Sequence, residues 1–276
     1  MKLVAKILVC ALPVVAALIG AHVGYRAGLA EAYHRFVGIG DYDARQTYAL
    51  RYAAGLEQFQ SLMGQDLWVL HSVFPDVADG FFVDLGSANG VAISNTWALE
   101  RRGWSGICID PFPRNMKDRT CQVFAEAVDS EGGRTILFQN PGTEGGGLLD
   151  YAGWWVSDDD RRNTVEVTTT TLADILLRAG APEFIHYMNV DIEGAEYEAL
   201  RTFPFDVYKI GAITIEHNNL EDRRALIRDL LTHNGYRLEW AIRDQDWYVL
   251  DDPGGAQQYA RARLSACAGT GSPACQ

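Results

Sequence analysis

An acidic residue followed by a turn of small residues is the first part of this chain that could do chemistry. Asp84 lies in the apolar run Phe81–Leu85, and residues 86–90 read Gly-Ser-Ala-Asn-Gly. A short apolar run next to glycine is typical of a buried parallel strand, and glycine lets the following backbone turn sharply and approach a ligand. The periodic apolar residues from Ile93 to Leu99 predict a helix after the turn, with its N-terminus directed at a bound cofactor.

The spacing of the glycines narrows the identity of that cofactor. A dinucleotide-binding turn needs the pattern G-x-G-x-x-G, and Ala88 and Val91 stand where its second and third glycines belong. Asp84, Gly86 and Gly90 give Asp-x-Gly-x-x-x-Gly instead. A carboxylate beside the turn disfavours a pyrophosphate but can accept hydrogen bonds from an ammonium group. The pattern therefore favours S-adenosylmethionine over NAD, with an ordinary strand–turn–helix junction as the alternative without a ligand.

A second carboxylate supports a nucleoside-containing cofactor. Asp110 follows the apolar run Gly106–Ile109 at the end of the next predicted strand. In doubly wound folds an acid at this place accepts hydrogen bonds from the ribose hydroxyls. A solvated strand-end acid, or a turn former before Pro111, is the simpler alternative.

Further acids and a histidine follow two later strands. Asp191 comes after the apolar run Phe184–Val190, and Glu216 and His217 end the next run. Ligands of open α/β sheets bind beyond the carboxyl ends of the strands. Asp191 could hold the ammonium end of the cofactor or position a substrate, and His217 could be a general base. Two alternatives stay open: His217 is a structural histidine, or Asp191, Glu216 and His217 bind a divalent cation, which is not favoured because no metal-ligand spacing supports it.

The elements that position these residues alternate along the chain. Helical and strand-like segments follow one another from Gln65 to Leu231, with a third strand predicted over Gln122–Val128. Two final segments, Tyr236–Trp240 and Trp247–Leu250, are typical of an antiparallel pair. This order predicts an α/β fold with a mostly parallel sheet and an antiparallel end.

Size and charge set limits on the class of protein. The chain has 276 residues, enough for one α/β domain with extensions, and a formal net charge of −12. Proteins that bind nucleic acid usually carry a basic face, so we expect no nucleic-acid partner. The sequence does not predict an oligomeric state.

The N-terminal residues have the composition of a membrane anchor. Residues 7–25 carry no formal charge, between Lys6 and Arg26, and their length just suffices for a transmembrane helix. We interpret residues 1–26 as an uncleaved single-pass anchor, with membrane contact through residues 7–25. Charges on both sides leave the orientation undecided, although supply of the cofactor favours a cytosolic catalytic domain.

The rest of the chain divides into three predicted parts. Residues 27–61 are predicted as a helical connecting region, residues 62–252 as the catalytic domain and residues 253–276 as a flexible tail. Among the five cysteines, Cys108 and Cys121 are interpreted as buried small hydrophobic residues. Cys267 and Cys275 in the tail could pair only in an oxidising compartment, and an unpaired tail is the preferred interpretation.

Taken together, the motifs resemble the FkbM-type S-adenosylmethionine-dependent methyltransferases. The resemblance covers residues 62–250. It rests on Gly64-Gln65-Asp66, Phe82-Val83-Asp84-Leu85-Gly86, Ser94-Asn95-Thr96, Leu99-Glu100, Gly103-Trp104-Ser105-Gly106, Asp191-Ile192-Glu193-Gly194-Ala195-Glu196 and Glu216-His217. The chain departs from the family pattern at Asn189, where many members have lysine, and at Asp110, where glutamate is frequent.

This resemblance implies a class I methyltransferase fold, which is a Rossmann-like, doubly wound, mostly parallel seven-stranded sheet. It also implies O-methylation of a hydroxyl on a sugar, glycan or secondary metabolite. The cofactor-binding residues expected on this basis are Asp84, Gly86, Ser87, Gly90, Asp110, Ala127 and Asp191. The expected catalytic residues are Asp191, Glu216 and His217. The alternative function is a membrane-anchored protein that keeps the fold for a non-catalytic role in trafficking or scaffolding.

Overall fold

Two β-sheets of unequal size organise the described residues, 58–151 and 162–251, of this computed structural model. The larger sheet has seven strands and the smaller has four. In chain order the strands are β1 (Phe81–Leu85), β2 (Ser105–Ile109), β3 (Gln122–Phe124), β4 (Ala127–Val128), β5 (Thr135–Gln139), β6 (Gly147–Leu148), β7 (Thr164–Thr170), β8 (Phe184–Val190), β9 (Lys209–Glu216), β10 (Tyr236–Ile242) and β11 (Gln245–Leu250).

The seven-stranded sheet has the strand order β10-β11-β9-β8-β1-β2-β3. Its central pairs, from β9 across to β3, are all parallel. The hairpin of β10 and β11 adds two antiparallel strands next to β9. The predicted mostly parallel sheet with an antiparallel end is therefore confirmed. The carboxyl ends of β1, β2, β8 and β9 meet at one edge because these neighbouring strands run in the same direction.

The four-stranded sheet, in the order β4-β7-β5-β6, was not predicted. The segment Gln122–Val128, expected to be one strand, is divided between the two sheets. Its first part is β3, paired with β2, and its last part is β4, paired with β7. The chain changes sheets at Ala125 and Glu126, and Ala127 thereby comes to lie beside the main sheet's edge.

Five α-helices are described: α1 (Gln65–Trp68), α2 (Trp97–Glu100), α3 (Leu172–Ala179), α4 (Glu196–Arg201) and α5 (Glu221–His233). The expected helix from Ile93 to Leu99 is wrong in its extent, since α2 begins only at Trp97. Side chains replace the helical hydrogen bonds before it: Asn89 Oδ1 accepts from Val91 N and Ser94 Oγ accepts from Trp97 N.

The apolar core lies on both faces of the main sheet. One face packs Val83, Leu85 and the neighbouring strands against α3, α4 and α5. The other packs Phe82, Tyr187 and Trp247 against α1 and α2. Strand alternation therefore places Asp84 on the second face, between layers that exclude water.

A disulfide joins Cys108 of β2 to Cys121, the residue before β3, with a Cα–Cα distance of 5.9 Å. The interpretation of these two cysteines as unpaired hydrophobic residues is therefore wrong. Their pairing follows from the parallel contact of β2 with β3, which the spacing of the residues did not reveal. The cytosolic orientation expected from cofactor supply stays a prediction.

Some predicted segments lie outside the described residues. These are the membrane anchor over 1–26, the tail over 253–276 with Cys267 and Cys275, and residues 27–57 of the connecting region. Within the described ranges, no helix has the length and apolarity needed to cross a bilayer. The last four residues of the connecting region, 58–61, are not helical, and Phe59 is buried in the core.

Candidate functional site

The turn after β1 is held by the ends of two neighbouring strands. The N–H groups of Gly86 and Ser87 both donate to Ile109 O at the end of β2. Gly86 has a φ of 87°, and a Cβ built on it would lie 1.7 Å from Asp191 O. Only glycine fits here, because it tolerates this φ and leaves room for the β8 backbone. The glycine therefore brings the ends of β1 and β8 into contact.

Gly90, at the end of the turn, packs against the loop that follows β2. Its N–H donates to Arg114 O at 2.8 Å, and a Cβ at this position would collide with Met116 Sδ. Gly90 packs against the loop after β2 and is not among the described residues that line the cavity at the sheet edge. Its expected contact with a cofactor therefore remains a prediction, and its observed role is to hold the turn against that loop.

Asp84 lies at the centre of a buried hydrogen-bond network. Its Oδ2 accepts from Thr96 Oγ1 at 2.5 Å and its Oδ1 accepts from Asn189 Nδ2 at 3.1 Å. Asn189 in turn accepts from Thr214 Oγ1, and Thr96 accepts from Arg119 Nη2 at 2.9 Å. The cross-strand register, Asp84 opposite Asn189 and Asn189 opposite Thr214, aligns these side chains in one row. Burial raises the pKa of Asp84, while the hydrogen bond from Thr96 lowers it.

Asp110 supports the same turn from the end of β2. Its Oδ2 accepts from Ala88 N at 3.0 Å and its Oδ1 accepts from Phe112 N at 2.7 Å. Burial raises its pKa, and the two backbone N–H donors oppose that shift. Asp110 lines the cavity at the sheet edge, as does Ala127 of β4.

Three carboxylates converge on the other side of this cavity. Asp191, Glu193 and Glu216 each offer an oxygen, and these oxygens lie within 4.8 Å of one another. Asn218 Nδ2 donates to Glu216 Oε2 at 2.9 Å and to Glu193 Oε2 at 3.3 Å. In the described part of the chain, no lysine or arginine forms an ion pair with any of the three.

This crowding shifts the acids toward their protonated forms. Burial raises the pKa of Asp191 to about 6, although a hydrogen bond with Glu216 lowers it. Burial, followed by repulsion from Asp191, raises the pKa of Glu193 to about 8. The same two causes raise the pKa of Glu216 well above its usual range. Groups that titrate close to neutral pH are suited to accept and release protons.

Glu193 was not among the expected site residues, because a first-turn acid is adequately explained by the helix dipole. The structure separates it from Glu196, which does serve the helix start by accepting from the N–H groups of Ile192 and Gly194. Glu193 instead has a φ of 56° and lines the cavity. In the sequence, its position directly before Gly194, where the chain reverses, was the feature that could have indicated a place outside the helix.

His217 is not brought into the cavity, although Glu216 next to it is. Its Nδ1 accepts from Asn219 N, and its Nε2 lies 3.9 Å from Asp246 Oδ1. Burial lowers its pKa, although attraction to Asp246 opposes that shift. The general-base role of His217 remains a prediction without support from this geometry, and a metal site that includes His217 has none either.

One cavity thus joins most of the expected site residues. Described residues from strand ends of the main sheet and from the smaller sheet line it, with the turn after β1 and the loop after β2 on one side and the three acids on the other. Those that the sequence singled out are Asp84, Gly86, Ser87, Asp110, Ala127, Asp191 and Glu216.

Comparison with protein families gives one match, to the Methyltransferase FkbM domain, over residues 84–238. This stretch begins at the acid of the first turn and ends within β10, so it contains both sides of the cavity. Comparisons with curated proteins and with solved structures give no match.

Proposed function

Because this chain belongs to the FkbM methyltransferase family, we propose that it transfers a methyl group from S-adenosylmethionine to a hydroxyl oxygen. The acceptor class we propose is a sugar, a glycan or a secondary metabolite. The observation that carries the proposal is the single cavity in which Asp110 and the turn after β1 face Asp191, Glu193 and Glu216.

The residues of this cavity fit S-adenosylmethionine on chemical grounds. The cofactor carries an ammonium and a sulfonium group and no phosphate, and the cavity is lined by carboxylates. The buried hydroxyl of Ser87 has no hydrogen-bond partner, so it is free to bind a ligand group. A pyrophosphate would be repelled by the same acids. Asp110, fixed by two backbone N–H groups, would accept from the ribose hydroxyls through its remaining lone pairs.

The acidic residues supply what hydroxyl methylation requires from the protein. When bound, the cofactor supplies a methyl group on a positively charged sulfur, so that the C–O bond forms as the C–S bond breaks. The hydroxyl proton would pass to the cluster of Asp191, Glu193 and Glu216. Asp191, with a pKa of about 6, is largely deprotonated at neutral pH and is a stronger base than an ordinary carboxylate. Holding the hydroxyl beside the methyl group would contribute through proximity and orientation.

Calorimetry of the full chain with S-adenosylhomocysteine tests this proposal. We expect saturable binding, and we expect Asp110→Ala to weaken it by at least about 100-fold because two hydrogen bonds to a charged group are lost. The exposed Asp79→Ala serves as the matched control and should bind like the wild type. Absence of both heat and a thermal shift with S-adenosylhomocysteine would contradict the proposal and favour the non-catalytic alternative.

The hydroxyl preference has its own assay. Transfer of a labelled methyl group from S-adenosylmethionine should occur to sugars and phenols with a free hydroxyl and not to their O-methylated counterparts. Transfer to amines alone would leave the cofactor assignment intact and contradict O-methylation.

A further inference from the structure

One buried acceptor in the cavity wall has no hydrogen-bond partner in the structure. Asn95 is 8% exposed, lines the cavity, and its Oδ1 is without a donor. A buried carbonyl oxygen that stays unpaired lowers stability, so such an atom at a binding site indicates that a ligand supplies the donor. We propose that Asn95 Oδ1 accepts a hydrogen bond from the ammonium group of the cofactor. This inference rests on the proposed function.

Asp84 is one of the two residues, with Asp191, that the sequence suggests for the ammonium group, and the structure gives Asp84 other partners. Each of its carboxylate oxygens already accepts a hydrogen bond, one from Thr96 and one from Asn189, and the side chain is 1% exposed. Thr96 is the chain neighbour of Asn95 and is itself bound by Arg119. Asp84 therefore holds the segment that carries Asn95.

The ammonium group is the donor of the cofactor that best suits Asn95. The ribose hydroxyls are expected at Asp110, which ends β2, whereas the segment of Asn95 is bound to the end of β1. Ser87, on the turn after β1, also has a buried hydroxyl without a partner in the cavity wall. An amide oxygen that accepts and a hydroxyl that donates match the two charges of an amino-acid group, one ammonium and one carboxylate.

A pair of ligands that differ only in the amino group tests the assignment. The first is S-adenosylhomocysteine, and the second is its deaminated analogue, the thioether of 5′-deoxyadenosine with 4-mercaptobutyrate. We expect Asn95→Ala to weaken binding of S-adenosylhomocysteine by roughly 10- to 100-fold, the range for one hydrogen bond to a charged group. Binding of the deaminated analogue should change by less than about 3-fold, since it has no ammonium group to lose. Calorimetry of the full chain measures both.

The controls separate a binding role from a structural one. Asn95→Asp keeps an oxygen acceptor and should restore the preference for the amino-bearing ligand, and the exposed Asn163→Ala should leave both affinities unchanged. An equal loss for both ligands in Asn95→Ala would overturn the inference, because it would show a general disturbance of the cavity. A wild type that binds neither ligand would overturn the proposed function itself, and this inference with it.

Discussion

The two sides of the cavity treat buried negative charge in opposite ways. On the first side, which we call the cofactor side, Asp84 and Asp110 have both carboxylate oxygens paired with donors of the chain. On the second, the acidic side, Asp191, Glu193 and Glu216 crowd together, and repulsion from Asp191 adds to burial in raising the pKa values of Glu193 and Glu216. On the cofactor side, donors of the chain therefore compensate both carboxylates, although burial raises their pKa values as well. The acidic side keeps an electrostatic conflict, which is typical of groups retained for chemistry.

Because the acids are paired with donors on the cofactor side and crowded on the acidic side, removing an acid should have opposite effects on stability at the two sides. The largest effect should come from Asp84→Ala, which leaves the buried side chains of Thr96 and Asn189 without their acceptor. We expect the free energy of unfolding to fall by about 3–5 kcal/mol, the sum of two hydrogen bonds to a charged group. Urea denaturation at pH 7 measures it, with the exposed Asp79→Ala as a matched control. A loss below about 1 kcal/mol would mean that the network is not a source of stability.

The second prediction concerns the loop that supports the cofactor side. The disulfide Cys108–Cys121 closes a loop with a sequence separation of 13 residues, and Asp110 and Arg119 lie within it. The backbone of Arg114 in the same loop pairs with Ala88 and Gly90 of the turn. Replacing both cysteines by alanine should therefore lower the free energy of unfolding by about 3 kcal/mol through loop entropy and weaken cofactor binding.

Reductant gives an internal control for this disulfide. Both cysteines are buried, so the measurement is equilibrium denaturation with and without reductant, which reaches them in the unfolded chain. The wild type should lose about the same 3 kcal/mol when reduced, and the double variant should lose nothing. A wild type that is insensitive to reductant would show that the cysteines are not paired in solution.

Much of the main sheet could be predicted because its strands are short apolar runs that end in polar residues. The carboxyl ends of parallel strands share one edge, which is why Asp84, Asp110, Asp191 and Glu216 were expected together and are found lining one cavity. The alternation of side chains along a strand determines which strand-end residues face the cavity. Thr214 and Glu216 share one face of β9, so His217 must point elsewhere. Glu216 and His217 were both predicted to lie in the site because both follow the same strand, but neighbouring residues of a strand point to opposite faces.

Other features depended on contacts that hydrophobic periodicity does not encode. The disulfide requires β3 to lie next to β2, and the four-stranded sheet requires the chain to change sheets after Phe124. The short helix α2 reflects side-chain bonds from Asn89 and Ser94 that compete with helical ones. Tertiary partners thus decided the disulfide and the second sheet, and local side-chain bonds decided where α2 begins.

The acidic side should show the smallest effect and the opposite sign. Burial and repulsion raise the pKa of Glu193 to about 8, while an unfolded glutamate titrates at about 4.3. Between these values the folded state binds more protons than the unfolded state, so the stability of the wild type falls as pH rises from about 4.5 to 8. Glu193→Gln removes this residue's share of the dependence, while Asp191 and Glu216 keep theirs. The whole shift corresponds to about 5 kcal/mol, but part of it comes from repulsion that Asp191 relieves by taking up a proton itself. We therefore expect the variant to be more stable than the wild type by about 1–2 kcal/mol at pH 8 and equal to it near pH 4.5.

Denaturation at pH 5, 6, 7 and 8 measures the difference, and the exposed Glu131→Gln should follow the wild type throughout. A difference that does not depend on pH would contradict the raised pKa. Stabilisation of the wild type but not of Glu193→Gln by millimolar Mg²⁺ would show instead that a cation relieves the repulsion.

Since Glu193→Gln also removes a carboxylate from the proposed proton acceptor, methyl transfer should fall while stability rises. Asp84→Ala should lower both, and this contrast separates an acid kept for chemistry from an acid kept for the fold.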